Sequence, residues 1–382
     1  MEDNRKHILF LPEWYPNPND VQLAVFVEKF ARAAALNYKV SLIFCGPFAQ
    51  GKDIQLIHKK TGGFNTYLCF YPKQKRKLKA YNYFMRAHEK CWQKMVEEEG
   101  VPNMVHLHML FRNYVAYTKI YQKYIPDYML TEQWSGYLDG SYESLGFYRK
   151  TFYKKAFSKA YFVTAVSKRL AAALEKHFTI QNPVILLPNI AEAAPKKNTV
   201  LSDVFRILVV ADLVDEVKNI TGILEALKHV RIEKKIYFTL IGDGDDRVIV
   251  HKKATELDAS VCEVNLMGRL ENAAVLEAMQ QNHILITNSR HETFSMVTAE
   301  ALLAGMPVIC TRCGGPEEFV DDTNGILIQV DDTSALTAAI EKMAETYGNY
   351  STEQLSLPVL QKFGIQAVAS QLQNIYERIL AP

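Results

Sequence analysis

The chain has 382 residues, 48% of them hydrophobic and 23% charged, and a formal net charge of +2. That length exceeds what one hydrophobic core usually serves, so two domains are expected, and the composition excludes a disordered or fibrous protein. The small net charge hides an asymmetry: residues 1–190 carry 27 Lys and Arg against 15 Asp and Glu, or +12, and the remainder carries 17 against 27, or −10.

The N-terminus, MEDNRKHILFLPEWYP, holds only a short apolar run before Pro12 and Pro16 and no small-residue cleavage pattern, so it reads as a first strand. No run of eighteen apolar residues follows, so no transmembrane helix is expected, and the protein is placed in the cytoplasm. Residues 7–11 and 38–44 read as short buried strands. Phe26, Val27, Phe30, Ala33, Ala34 and Leu36 recur between them at near-helical spacing. This is a β-α-β unit, which implies parallel strands and a right-handed crossover. Further strands are expected at 104–108, 128–130, 161–165 and 184–187, with helices between. Pro188-Asn189 ends this half, 1–190, and residues 191–199 form a polar linker.

A second alternation fills 200–363. Its strands are expected at 206–210, 237–241, 261–267, 284–287 and 307–310, with helices near 219–230, 246–257, 272–281 and 296–304. A last helix near 364–380 shows Ile365, Val368, Leu372, Ile375 and Ile379 at helical spacing. Two such halves leave a cleft at the carboxyl ends of both sheets, where open parallel folds bind ligands.

The six cysteines are too scattered for a disulfide framework. Cys310-Thr-Arg-Cys313 lacks the second ligand pair that zinc needs. Two basic stretches, 73–79 and 149–159, are interleaved with Tyr71, Tyr81, Tyr83, Phe84, Phe147, Tyr148, Phe152 and Tyr153. They suit peripheral contact with an anionic membrane at its inner face better than nucleic acid, the plain alternative being a solvated helix face.

The segment with most chemistry runs from Ser289 to Ile309. Glu292 lies in the loop after a strand, and a helix starting near Phe294 or Ser295 carries Glu300 more than a turn inside it. The two carboxylates should stand roughly 8 to 12 Å apart. That is too far to share a proton and favours one elongated ligand over a glycosidase pair flanking a single bond. The amides of Phe294, Ser295 and Met296 would offer donors at a positive helix end. A surface role for Glu300 is the plain alternative, but on so apolar a helix a carboxylate needs a partner.

This segment resembles the Glu-x7-Glu motif of the retaining glycosyltransferases of family 4, which have the GT-B fold: α/β, with two Rossmann-like domains facing across a cleft. Val166-Ser167-Lys168, Leu187-Pro188-Asn189, Lys218-Asn219, Gly242-Asp-Gly244, Gly314-Gly315-Pro-Glu-Glu318 and Asn324-Gly325 follow the family's order over nearly the whole chain. The resemblance implies transfer of a hexose-type sugar, with retention, from a nucleotide-diphosphate donor to a glycan or lipid-linked glycan acceptor in polysaccharide synthesis. UDP-sugars are favoured and GDP-sugars stay open. Glu300 would accept hydrogen bonds from the ribose, and Glu292 would hold a sugar hydroxyl. Lys218, with Asn219 beside it, would neutralise the diphosphate leaving group, where negative charge grows. His108 would lie against sugar and acceptor, while His106 is read as a satisfied buried residue. Trp14, Tyr15 and Ala24 belong to the acceptor-side loop. No metal or other cofactor is implied. The last helix would pack on the first domain, and domain closure would bring the acceptor on the basic half to the donor on the acidic half.

Three positions depart from the family pattern. Ala211-Asp212-Leu213 stands where Gly-Arg-Leu is usual, so either Asp212 points away and another cation such as Arg290 or Arg269 substitutes, or catalysis is weak. Ala24 and Ser295 stand where glycines are usual, and Ser295 can cap a helix. A nucleotide-sugar epimerase or hydrolase of the same fold is one alternative, and a catalytically weak sugar-nucleotide or glycan-binding subunit another. Gly242-Asp-Gly244 lacks the third glycine of a dinucleotide fingerprint, and no phosphate-binding GxxxxGK[ST] loop or HExxH is present.

Overall fold

The computed structural model describes residues 4–48, 53–193 and 203–381, which leaves 194–199 of the expected linker outside the described residues. The chain divides into two compact units, Met1–Ile190 with Ile365–Pro382, and Ala191–Gly364.

The first unit is built from β1 (His7–Pro12), α1 (Val25–Ala35), β2 (Lys39–Phe48), β3 (Gln55–Thr61), β4 (Phe64–Pro72) and α2 (Lys77–Glu99). It continues through β5 (Met104–His108), α3 (Arg112–Ala116), β6 (Tyr128–Glu132), α4 (Phe147–Lys159), β7 (Phe162–Ala165), α5 (Lys168–His177) and β8 (Ile185–Leu186). The sheet order is β3-β4-β2-β1-β5-β6-β7-β8. All pairs are parallel except β3 with β4. Every residue of β1, β5 and β6 is buried, the signature of strands covered on both faces. The β3–β4 hairpin was not legible in the sequence because β3, Gln-Leu-Ile-His-Lys-Lys-Thr, is a largely exposed edge strand whose lysines keep it from further pairing. The sheet order reverses between β1 and β5, so the loops after these two strands diverge and open a crevice at their carboxyl ends.

The second unit contains β9 (Val204–Val210), α6 (Asp215–Lys218), α7 (Ile220–His229), β10 (Lys235–Ile241), α8 (Arg247–Ala254), β11 (Cys262–Gly268) and α9 (Asn272–Gln281). It ends with β12 (Ile284–Thr287), α10 (Met296–Leu303), β13 (Val308–Thr311), β14 (Gly325–Ile328), α11 (Thr333–Thr346) and α12 (Thr352–Phe363). Its six strands run β11-β10-β9-β12-β13-β14, all parallel. The order reverses between β9 and β12. The helix expected near 219–230 is α7, and Asn219, with φ 47°, separates it from the preceding single turn of α6.

The terminal helix α13 (Ile365–Leu380) belongs to the first unit. Its Val368, Leu372, Ile375 and Tyr376 share a core with Phe30, Ala33 and Ala34 of α1. Tyr376 Oη lies 2.7 Å from His106 Nδ1, and His106 Nε2 lies 2.6 Å from Thr131 Oγ1. His106 is thus the satisfied buried residue that the sequence suggested, and burial drives its pKa well below the ordinary value, so it is neutral. Tyr376→Phe leaves one ring nitrogen of His106 without its partner. It is expected to cost about 1–3 kcal/mol in urea unfolding, whereas an unchanged midpoint would mean the bond contributes nothing.

Candidate functional site

In the second unit the reversal of strand order selects the loops after β9 and β12, and these carry the charged residues. Beyond β9 the backbone is fixed by Gly242, whose φ of 150° brings it against Ala211: a Cβ there would lie 1.8 Å from the Ala211 carbonyl oxygen. α6 then presents Lys218 at its last position. After β12, the loop 288–295 is tied to the loop after β13. Glu292 N donates to Cys313 O at 3.2 Å, and Gly315 N donates to Glu292 O at 3.0 Å. A Cβ on Gly315 would sit 2.5 Å from Phe294 Cα, so only glycine permits this approach.

The loops bring Lys218 Nζ within 2.6 Å of Glu292 Oε1, to which Ser289 Oγ also donates at 2.8 Å. Burial opposes the charge on Lys218, but attraction and a hydrogen bond from Glu292, reinforced by Asp212, leave its pKa above the ordinary lysine value. The ammonium is therefore fully charged at neutral pH. Beside this pair, Ser295 precedes α10 with φ 70°, and Phe294 is buried against Phe319 and Phe363. α10 begins at Met296, as the expected span 296–304 has it and one or two residues after Phe294 or Ser295. Its first amides lack intrahelical partners by geometry and give this corner a positive field. Glu300, 6% exposed, is buried within α10 and not at the surface.

Some expected roles change. Arg290 is a strut: its Nε donates to Asp331 Oδ1 at 2.7 Å and its Nη1 to the carbonyls of Asp215 and Glu216. Three donor contacts spent on the protein leave it poorly placed to bind a donor phosphate. Asn219 likewise bonds Asp331 through its side chain and accepts from Asn288 through its carbonyl, so it anchors the α6–α7 turn. Ser295 occupies the cap position, but its hydroxyl pairs with the Thr298 hydroxyl at 2.8 Å and no side-chain cap forms. The charge of Asp212 is met by Arg269, Nη2 to Oδ1 at 3.0 Å, which settles how an acid is tolerated there. Cys310 and Cys313 are both buried, and burial pushes their thiols up to about 12 and about 11, so neither ionises near neutrality.

In the first unit, His108 needs correction. It is 0% exposed, packed against Phe10 and His106 and close to Phe30, with its pKa lowered to about 3 by burial. The neutral ring is buried, and neither of its nitrogens has a hydrogen-bond partner. Of the expected acceptor-side loop, Trp14 is exposed and Tyr15 is buried. Ala24 takes a left-handed φ of 52° ahead of α1, the conformation for which glycine is normally used.

Sequence reasoning missed the polar cluster at the reversal point of this sheet. Glu13, following β1, accepts from the amides of Arg112 and Asn113 at 2.8 and 3.1 Å and from Arg112 Nε at 2.9 Å. Glu132, at the end of β6, accepts from Leu110 N at 2.8 Å and from Tyr137 Oη at 3.1 Å, yet burial still raises its pKa to about 7. Next to it, Gln133 Nε2 is buried with no hydrogen-bond partner. The available signal was a carboxylate directly after each of two apolar strands, in Leu11-Pro-Glu13 and Leu130-Thr-Glu132.

Residues 204–346 match the model of the family described as glycosyl transferases group 1. The chain is 29% identical over 189 residues to the N-acetyl-alpha-D-glucosaminyl L-malate synthase of Bacillus anthracis, covering 48% of this chain and 49% of that enzyme. The chain thus spans about half the length of that relative. An uncharacterized glycosyltransferase of Methanocaldococcus jannaschii is 25% identical over 313 residues, 80% of this chain and 83% of its own. Among solved structures, Anabaena HepE in complex with UDP and glucose superposes with a TM-score of 0.71 at 16% identity, over 98% of this chain and 100% of that one. Its likeness speaks to the fold, and the family match to residues that include Lys218, Glu292 and Glu300. Residues 204–346 therefore match the group 1 glycosyl transferases, and the chain as a whole has the GT-B fold.

Proposed function

We propose that the protein transfers a hexose-type sugar, with retention, from a nucleotide-diphosphate donor to a glycan or lipid-linked glycan acceptor in polysaccharide synthesis. UDP-sugars are the favoured donors and GDP-sugars the second choice. The observation that carries this reading is the pairing of Lys218 with Glu292 at the reversal of strand order in the second unit, beside the first turn of α10. The co-crystallised UDP and glucose of HepE support a uridine donor by likeness.

In this reading the ion pair is the donor-free state. An arriving diphosphate takes over Lys218, whose ammonium meets the charge that develops as the bond from sugar to phosphate breaks. Glu292 is released by the same exchange and accepts a hydrogen bond from a sugar hydroxyl, with Ser289 holding its other contact. The amides of Phe294, Ser295 and Met296 face phosphate or sugar oxygens, and Glu300 accepts from the ribose. No metal is part of the proposal.

Calorimetric titration with UDP-, GDP- and ADP-sugars and the parent diphosphates tests it. Micromolar binding of one base that Glu300→Ala abolishes is expected. Silence across the panel from a folded protein would overturn the donor assignment.

A further inference from the structure

The two basic stretches of the first unit are joined in space. Arg149, in the first turn of α4, lies over the Phe111 ring at 5.5 Å, and the adjacent Arg112 lies over Phe84 of α2 at 5.7 Å. Phe152 of α4 packs on Tyr114 of α3 at 5.0 Å. The third turn of α2, at Phe84, and the first two turns of α4 therefore flank one short segment, 111–114.

The surface they form has two properties rarely combined by chance. Residues 73–86 and 147–159 together contain eleven Lys and Arg and no Asp or Glu. Large apolar side chains also stand out from them into solvent: Leu78 is 74% exposed, Phe147 77% and Tyr148 89%. In a globular unit such side chains cost free energy unless something covers them. Among the described residues no helix is long and apolar enough to cross a membrane, so contact with lipid would be made at the bilayer surface. Apolar tips reaching the acyl boundary, ringed by cations at headgroup level, match an anionic bilayer. Nucleic acid would be met by the same cations, but it leaves Leu78 without a partner.

We propose that this face, formed by the first turns of α2 and α4, docks on anionic lipid, with Leu78, Phe147 and Tyr148 inserted and Lys73, Lys75, Arg76, Lys77, Lys79 and Lys150 around them. The inference concerns a partner surface and does not rest on the transfer reading.

The test is co-sedimentation of the full chain with phosphatidylcholine vesicles, with and without phosphatidylglycerol, at low and high salt. Binding is expected only with phosphatidylglycerol and is expected to fall steeply with salt. Lys77→Gln with Lys79→Gln should lower the partition coefficient by about tenfold or more, since each cation near the surface contributes about a factor of five. Phe147→Ser with Tyr148→Ser should lower it comparably. Circular dichroism verifies that both double variants remain folded. No binding to phosphatidylglycerol vesicles at low salt, unchanged binding by the variants, or preferential capture by a single-stranded oligonucleotide would each overturn the proposal.

Discussion

Lys218→Ala is expected to lower kcat for sugar transfer by about 10²–10³-fold, the usual consequence of removing one charged donor from a developing anion. The reason is positional. Lys218 sits at the end of a single helical turn, its ammonium 2.6 Å from Glu292 and fully charged through the neutral range. Glu292→Ala should be comparably damaging. Because the two side chains hold each other in the donor-free state, their effects should not add. A double variant nearly as active as the poorer single one is the expected outcome of steady-state kinetics, with the donor KM raised in Lys218→Ala. Fully multiplicative losses would show that the two act independently, and an unchanged kcat in Lys218→Ala would remove it from the leaving-group role.

The second large effect concerns stability and pH. Glu132 is fully enclosed, and burial raises its pKa from 4.5 to about 7 despite hydrogen bonds from Leu110, Tyr137 and Gln133. The native state therefore holds a proton that the unfolded chain releases. Its contribution to stability is fully present below about pH 4.5 and is lost as pH rises through 7, a change of about 3 kcal/mol for a shift of this size. Glu132→Gln keeps an acceptor oxygen in the same place and cannot ionise. Urea titrations across this window should show the variant free of that decline and more stable than the parent above neutrality. Parallel pH profiles for the two proteins would mean that Glu132 titrates normally.

Much of the fold was legible because parallel α/β architecture writes itself locally. Buried strands such as His7–Pro12 and Ile284–Thr287 are short continuous apolar runs, and α13 carries a periodic apolar face. β4, buried at every position, escaped notice although it has such a pattern, whereas two other missed elements lack one. β3 is an exposed edge strand, and α12 contains Pro358 within a helix. The site was legible to the extent that it is contiguous: Glu292, Phe294, Ser295 and Glu300 fall in one loop and helix. The contacts of Arg290 and Asn219 with Asp331 were not legible, because that acid is about 40 residues from one and over 110 from the other in the chain.

The sequence by itself determined the parallel α/β class, through short buried apolar runs alternating with helical spacing, and it carried the resemblance in the order of Lys218, Glu292 and Glu300. Only the tertiary structure decided which charges are free to meet a ligand. Arg290 is consumed by Asp331 and two carbonyls, Asp212 by Arg269, and His108 is enclosed by Phe10, His106 and Phe30. The physical reason is that ionisation and access depend on desolvation and on partners supplied by distant strands, and neither is encoded in the neighbours along the chain.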